Sequence, residues 1–259
     1  MFDPILTAVL LVVVGLGAGT LGAMLGVGGG IIMVPVLTFL GISPTQTAST
    51  SLFAVTSTSV SSTVEFARQK RIDYRLGTMM AAVAVPGAVI GAVLSADFTS
   101  ESFRLYFGIL LVLAGLYMLY RSSIMKARDE KAPLHGSWRY AAVGGASFIA
   151  GVISSLFGVG GGIIFVPAML VILGIGIYRA AATSQLILMI TSVAGVLTHV
   201  ALGHPDYFYA IALSAGAFVG AQIGARMSKS TKEAILNKML SIALMAIGGK
   251  MILDWMLSR

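Results

Sequence analysis

The sequence predicts an all-α polytopic integral membrane protein, built as two inverted-topology repeats of about five helices each. Three observations support this prediction. The 259 residues are 57% hydrophobic and only 10% charged, whereas a soluble domain normally carries about 25% charged residues. Residues 4–64 contain no Asp, Glu, Lys or Arg, although one membrane span needs only about 20 residues. A ten-residue glycine motif occurs once in each half of the chain.

The composition excludes several classes of protein. The chain has no cysteine and three scattered histidines, so we expect no metal site and no cofactor. The net charge of +7 falls in short loops between apolar runs, which is typical of the positive-inside rule and not of a nucleic-acid surface. The sequence holds no phosphate loop, complete dinucleotide fingerprint, Ser/His/Asp triad or paired carboxylates. We therefore predict that the protein is not an enzyme.

Several motifs recur in the same order in both halves. Residues 26–35 (GVGGGIIMVP) return as 158–167 (GVGGGIIFVP), and residues 48–52 (ASTSL) return as 182–186 (ATSQL). Further matches are Asp73-Tyr74 with Asp206-Tyr207, and GAVIGA at 87–92 with GAQIGA at 220–225. A tandem duplication explains this order. We expect a first transmembrane repeat at 1–120, a basic cytoplasmic linker at 121–138 and a second repeat at 139–259, together forming one domain.

Each copy divides into five apolar segments, and runs this apolar without ten-residue alternation favour helices over a barrel. Since five is odd, the two copies should lie in opposite orientations. Basic residues follow the third segment of the first copy but the fourth segment of the second, as this inversion requires. We expect both termini outside and the linker inside a cell membrane, inner or plasma. The predicted segments are 5–25, 30–41, 46–66, 75–96 and 102–120, then 139–157, 162–173, 180–201, 207–226 and 234–257.

The second segment of each copy is too short to span the bilayer. Residues 31–41 and 163–173 would form helices of about 16 Å, against a hydrocarbon core of about 30 Å. Each follows a glycine run, so we predict a half-membrane helix after an unwound GVGGG break. A free helix N-terminus favours an anion, and matched interrupted segments indicate a transporter's site. Close helix packing is the alternative role, and the expected one for the GxxxG faces. The candidate substrate-binding glycines are Gly28, Gly29, Gly30, Gly160, Gly161 and Gly162.

The third segment of each copy is rich in hydroxyl groups. Hydroxyls and amides can donate to an oxyanion without placing a charge in the membrane, although most Ser and Thr residues in helices bond back to their own backbone. Duplication favours the binding role at six positions. These candidates are Ser49, Thr50 and Ser51 in the first copy and Thr183, Ser184 and Gln185 in the second.

Three further polar residues within predicted spans are candidates for function. Glu65 lies near the predicted inner boundary and aligns with His199 near the outer one. His199 would serve a proton relay, or would be a boundary histidine bonded to backbone. Gln222 replaces Val89 of the first copy and would either support the site or bridge two helices.

The duplicated GVGGGxxxVP motif, followed in each copy by a Ser/Thr-rich stretch, resembles the TauE/SafE family of membrane permeases. The Asp-Tyr pairs and GAxxGA blocks fit as well, and the likeness covers about residues 8–120 and 140–255. The resemblance implies export of sulfite or a small organosulfonate. The family often has Gly where this chain has Ser49 and Thr183, and Gln185 replaces a serine, so the departures fall at the proposed site.

The residues and the resemblance both indicate a transporter of a small anionic substrate within a lipid bilayer. Export of a dianion is favoured by an inside-negative potential, at about 2.3 kcal/mol per charge per 100 mV, and therefore needs no coupled ion. We hypothesise alternating access by rocking of one repeat against the other. An anion channel, an uptake permease for another small anion and a membrane scaffold are the alternatives. The GxxxG faces would serve a homodimer or the interior of the fold equally well.

Overall fold

The computed structural model describes residues 4–129, 138–228 and 233–257, and every regular element in these ranges is helical. A 3₁₀ turn (Ser95–Asp97) extends the fourth helix, and a π-helical turn (Ala168–Ile172) extends the seventh. The predicted all-α class is confirmed. The helices are α1 (Pro4–Leu25), α2 (Gly30–Phe39), α3 (Pro44–Arg68), α4 (Tyr74–Leu94), α5 (Ser100–Asp129), α6 (Trp138–Phe157), α7 (Gly162–Pro167), α8 (Ile177–Ala201), α9 (Tyr207–Met227) and α10 (Glu233–Leu257).

Seven of these helices are long and apolar enough to cross a membrane. They are α1, α4, α5, α6, α8, α9 and α10. The helices α2 and α7 are apolar but shorter, and α3 has 25 residues but is too polar to join the seven. The polar residues of α3 are instead buried inside the protein, including Thr50, Thr58 and Ser62.

The duplicated Asp-Tyr pair marks the start of a helix in each half. The carboxylate of Asp73 accepts a hydrogen bond from the Leu76 amide at 3.1 Å, at the start of α4. Asp206 accepts in the same way from the Phe208 amide at 3.1 Å, at the start of α9. Both aspartates are N-caps, which satisfy amide groups that have no partner within the helix.

The predicted linker is helical where the structure describes it. Helix α5 continues past the apolar run to Asp129, and residues 130–137 of the predicted linker lie outside the described residues. The apolar pattern ends at Tyr120, whereas the helical backbone continues to Asp129.

The chain forms two compact units, and each takes helices from both halves of the sequence. Unit 1 comprises Met1–Asp97 and His135–Lys229, and unit 2 comprises Phe98–Leu134 and Ser230–Arg259. Within unit 2, α5 packs on α10, and the Ser241 hydroxyl donates to the Gly115 carbonyl.

The helix pairs of unit 1 follow the duplication. Helix α1 packs on α9 as α6 packs on α4, and α3 packs on α9 as α8 packs on α4. The two hydroxyl-rich helices, α3 and α8, pack on each other. Exchanging each helix for its counterpart in the other half therefore leaves this set of pairs unchanged.

The GxxxG glycines lie inside these helix pairs. A Cβ at Gly220 would overlap the Leu16 carbonyl of α1, and one at Gly91 would overlap the Val152 carbonyl of α6. Only a hydrogen on these Cα atoms lets the backbones approach so closely. Of the two roles open to the GxxxG faces, the structure supports packing within the chain.

Candidate substrate site

Each GVGGG motif breaks the chain between two helices, as predicted. Helix α1 ends at Leu25 and α2 begins at Gly30, while α6 ends at Phe157 and α7 begins at Gly162. The backbone at Gly28 and Gly160 has φ values of 88° and 90°. This left-handed conformation strongly favours glycine over residues with a Cβ.

The two glycine breaks lie against each other. A Cβ at Gly30 would overlap the Gly158 carbonyl, and a Cβ at Gly162 would overlap the Gly26 carbonyl. Gly29 is equally tight against α1, where a Cβ would lie 2.6 Å from the Ala18 carbonyl oxygen. These glycines therefore serve close packing of the backbone. The same contacts place the two glycine breaks next to each other.

Gly28 and Gly160 lie nearest to side chains of α3 and α8. A Cβ at Gly28 would lie 3.1 Å from Cγ1 of Val55 and 3.1 Å from Cδ1 of Leu188. A Cβ at Gly160 would lie 2.7 Å from the same Val55 atom. Val55 and Leu188 were not singled out from the sequence because an apolar residue within an apolar helix gives no signal.

Three polar side chains of α3 and α8 donate hydrogen bonds to backbone carbonyls at the glycine breaks or just before them. The Ser51 hydroxyl donates to the Gly158 carbonyl at 2.8 Å, and the Ser184 hydroxyl donates to the Gly26 carbonyl at 2.7 Å. The Gln185 side-chain amide donates to the Gly22 carbonyl at 2.9 Å. Each bond joins one half of the chain to the other. Ser51 and Ser184 therefore bond to the first glycine of each motif, and their hydroxyl donors are already used. Gln185 bonds to α1 four residues before the motif, through one of its two amide N–H groups.

Other predicted hydroxyls have different partners. Ser49 donates to the Gln46 carbonyl of its own helix at 3.0 Å, which is the local bonding expected of most helical serines. Thr183 accepts a hydrogen bond from the Asp73 amide at 3.0 Å and so ties α8 to the start of α4.

Several fully buried polar atoms have no hydrogen-bond partner in the described structure. They include the hydroxyls of Thr50, Thr58 and Ser192 and the side-chain oxygen of Gln185. Buried polar groups are almost always paired, because an unpaired one costs about 1–3 kcal/mol. Thr50 was among the predicted site residues, whereas Thr58 and Ser192 lie two turns further along α3 and α8. Helical spacing from the motif could have identified both.

Several charged side chains of unit 1 form a cluster that we call the basic end. Arg179 lies 3.6 Å from the Asp73 carboxylate, and Arg226 lies 3.6 Å from that of Glu65. Arg71 donates to the Ser228 hydroxyl at 2.7 Å and to the Tyr178 carbonyl at 3.0 Å. Arg71 therefore bridges the start of α8 and the end of α9.

Glu65 and Gln222 belong to the basic end. The Gln222 amide lies 3.5 Å from the Glu65 carboxylate, and its oxygen accepts from the Ser61 hydroxyl at 3.1 Å. Gln222 thus bridges α9 and α3, one of the two roles considered from the sequence. His199 lies elsewhere, with Nε2 at 3.0 Å from the Ser155 carbonyl oxygen.

A groove of about 440 Å³ lies between α3 and α9. Phe53, Ser57, Ser214 and Phe218 are among its lining residues. None of the predicted binding residues lines this groove. In the described part of the chain, no three His, Asp or Glu side chains come together in a way that could hold a metal ion.

A multi-pass helical chain with uncharged polar groups buried between its helices is typical of membrane transporters. The family model described as Sulfite exporter TauE/SafE matches residues 11–251, so the chain belongs to this family. The predicted resemblance is confirmed, as is the prediction of a transporter and not an enzyme.

Relatives match along nearly their whole length. The chain is 35% identical to YunE, a probable membrane transporter protein of Bacillus subtilis, over 96% of this chain and 99% of the relative. It is 27% identical to a probable membrane transporter protein of Methanocaldococcus jannaschii, over 97% and 98%. It is 25% identical to YfcA, a probable membrane transporter protein of Escherichia coli, over 98% and 92%. No solved structure matches the chain.

Proposed function

We propose that the protein is a secondary transporter that exports a small oxyanion, such as sulfite or an organosulfonate, across the cell membrane. The observation that carries this proposal is the pairing of two glycine breaks with buried, unpartnered hydroxyls in a segment free of charged residues. Such a site offers hydrogen-bond donors to an anion and no carboxylate to repel it. The description of the family as sulfite exporters supports the class of substrate.

The proposed architecture is a pair of inverted repeats with two half-membrane helices. The interchangeable helix pairs of unit 1 support the repeat, and the short lengths of α2 and α7 support the half-helices. The basic end, which holds Arg71, Arg179 and Arg226, is the cytoplasmic end by the positive-inside rule. Both termini then lie outside.

Within the proposed site, the predicted residues divide into two roles. Ser51 and Ser184 position the glycine breaks, since their hydroxyls already donate to backbone carbonyls. Gln185 positions the end of α1 through one of its two amide N–H groups. The Thr50 hydroxyl has no partner and is the donor that remains for the oxyanion. Thr58 and Ser192 extend the same donor set along α3 and α8.

The bodies proposed to move in alternating access differ from the two repeats. Helix α1 packs along α9 and α4 packs along α6, so each repeat shares long helix pairs with the other. Two mixed bodies fit the packing better: body A, with α1, α2, α3 and α9, and body B, with α4, α6, α7 and α8. The glycine breaks and the α3–α8 contact lie between these bodies, where a substrate would be exposed in turn to each side.

Efflux from proteoliposomes tests this function. Vesicles containing the full chain are loaded with radiolabelled sulfite, sulfoacetate or chloride, and efflux of the two sulfur oxyanions above that of chloride is expected. A conductance far above transporter turnover would indicate a channel instead.

Replacement of Thr50 by valine tests the site. The change removes an unpartnered buried hydroxyl at nearly constant shape, so folding should be unaffected or slightly stabilised. A hydrogen bond to a charged group contributes about 1.5–3 kcal/mol, so Thr50→Val should lower the affinity for the oxyanion roughly ten- to a hundredfold.

Thr56→Val is the matched control, because the Thr56 hydroxyl donates to the Leu52 carbonyl of its own helix at 2.8 Å. Equal efflux by the two variants would show that the proposed site is wrong.

A further inference from the structure

A pair of histidines lies at the end of α8. The His199 side chain is fully buried in the last turn of a candidate span. Its Nδ1 lies 2.9 Å from Nδ1 of His204, and its Nε2 lies 3.0 Å from the Ser155 carbonyl oxygen. His204 is partly exposed in the loop between α8 and α9. The two rings therefore connect this loop to the end of α6, next to the second glycine break.

The geometry fixes how many protons the pair can hold. A carbonyl oxygen only accepts hydrogen bonds, so Nε2 of His199 carries a proton, and Nδ1 of the neutral ring is an acceptor. Nδ1–H of His204 then donates to it. A further proton can bind Nε2 of His204 and leave this hydrogen bond intact. A second further proton would set two N–H groups against each other, so the pair gains one proton and no more.

The added proton stays on the two rings. Beyond His199 lies the Ser155 carbonyl, which has no proton to pass on, so the pair is a binding site and not a continuous relay. Ser155 and His199 stand near the C-terminal ends of α6 and α8. Helix C-termini carry about half a negative charge and stabilise an imidazolium.

Burial has the opposite effect and disfavours the charged form of the histidines. Desolvation lowers the pKa of His204 below its ordinary value, because it disfavours the charged ring. The pair without a ligand is therefore neutral near neutral pH. A negative charge nearby would favour the protonated form of the pair.

No carboxylate of the described residues forms an ion pair with either histidine. Asp206, in the same loop as His204, accepts instead from the Phe208 and Tyr209 amides. Asp97 is exposed to solvent in the 3₁₀ turn that extends α4 and packs on α6. The other titratable side chains of α3, α4 and α6, and those at the start of α8, lie at the opposite ends of these helices from the histidine pair. They are Glu65, Arg68, Tyr74, Arg75, Arg139, Tyr140, Tyr178 and Arg179.

From this geometry we infer that His199 and His204 form a proton-binding site that takes up its proton together with the transported anion. The inference rests on the proposed function, since the anion at the adjacent glycine break supplies the missing counter-charge. By thermodynamic reciprocity, a proton on the pair raises the affinity for the anion by the same factor as the anion raises the affinity for the proton.

The test is anion binding by the purified full chain at two pH values. Sulfoacetate is the probe, because its charge is constant between about pH 6 and about pH 8, far above the ordinary pKa of a carboxyl group. We expect tighter binding at about pH 6, by at most about tenfold per pH unit for one linked proton.

Two variants and a control localise the effect. His199→Gln retains an amide donor for the Ser155 carbonyl but cannot become charged, and His204→Gln removes the exposed ring. Each should remove the gain in affinity at about pH 6. His135→Gln should keep the wild-type pH dependence, since His135 lies in the predicted linker between the two repeats, outside the segments that carry His199 and His204.

Each outcome of the binding experiments either supports the inference or overturns it. Loss of the pH dependence in both variants, with His135→Gln unaffected, supports the inference. Binding without pH dependence, or the same dependence in all variants, overturns the inference alone. Absence of binding and efflux for every anion overturns the proposed function and, with it, this inference.

Discussion

Ser51 and Ser184 lie one position apart in the aligned motifs of the two halves, and each donates to a carbonyl of the opposite glycine break. The duplication identified this pair of residues in advance. Their partners could not be predicted, because a hydroxyl at one place in the chain does not indicate which distant carbonyl it will meet. Thr50 was likewise selected by its motif, while its lack of a partner is visible only in the folded chain.

Removing either serine hydroxyl should weaken the fold. Ser51→Ala or Ser184→Ala leaves a glycine carbonyl without its donor, and interhelical hydrogen bonds in membranes contribute about 1 kcal/mol. We expect a lower thermal unfolding temperature for the purified protein in detergent.

Ser62→Ala serves as the control for this pair, since Ser62 donates to the Thr58 carbonyl within α3. If Ser62→Ala lowered the unfolding temperature as much as the other two changes, the bonds between halves would have no special role in stability.

At the level of elements, the sequence predicted the order of the helices and most of their ends. Pro44 begins α3, and Asp73 and Asp206 cap α4 and α9, so the helix starts have local chemical causes. The pairing of α1 with α9 has a cause that the sequence does not specify. A small-residue face shows that a helix can pack closely, but not against which partner.

Two glycines of α1 provide a matched test of this pairing. A Cβ at Gly19 would overlap the Ala217 carbonyl of α9, whereas one at Gly17 meets open space. Gly19→Ala should therefore destabilise the protein by about 1–3 kcal/mol through overpacking. Gly17→Ala should be neutral or should stabilise α1 by up to about 1 kcal/mol.

Unfolding of the purified variants in detergent, followed by circular dichroism, measures the difference. Equal stability of the two variants would contradict the close approach of α1 and α9.

At the scale of the whole molecule, the two proposed moving bodies cut across the duplicated halves. This division could not be read from the repeat, because it depends on which helices of the two halves pack along each other. The chain contains no cysteine, so introduced thiols can report on the bodies without a background.

Crosslinking between the bodies should stop transport. Tyr178 begins α8 in body B and Ser228 follows α9 in body A, and Arg71 bridges the two. In a Tyr178→Cys/Ser228→Cys variant, a short bifunctional thiol reagent should block efflux, and a reductant that cleaves the crosslink should restore it.

Asp73→Cys/Arg179→Cys is the control within body B, because these residues form an ion pair between the start of α4 and α8. Its crosslink should leave efflux intact. Equal inhibition by both crosslinks would show that α4 and α8 do not move as one body.

The polarity of α3 has a consequence for biogenesis. A helix with this many hydroxyl groups gains little from entering lipid alone, and it becomes stably buried only against α8 and α9. Both partners are synthesised much later than α3. We therefore expect the other helices of the first half to enter the membrane before α3 is stably integrated. Integration of α3 is then completed only when the second half arrives.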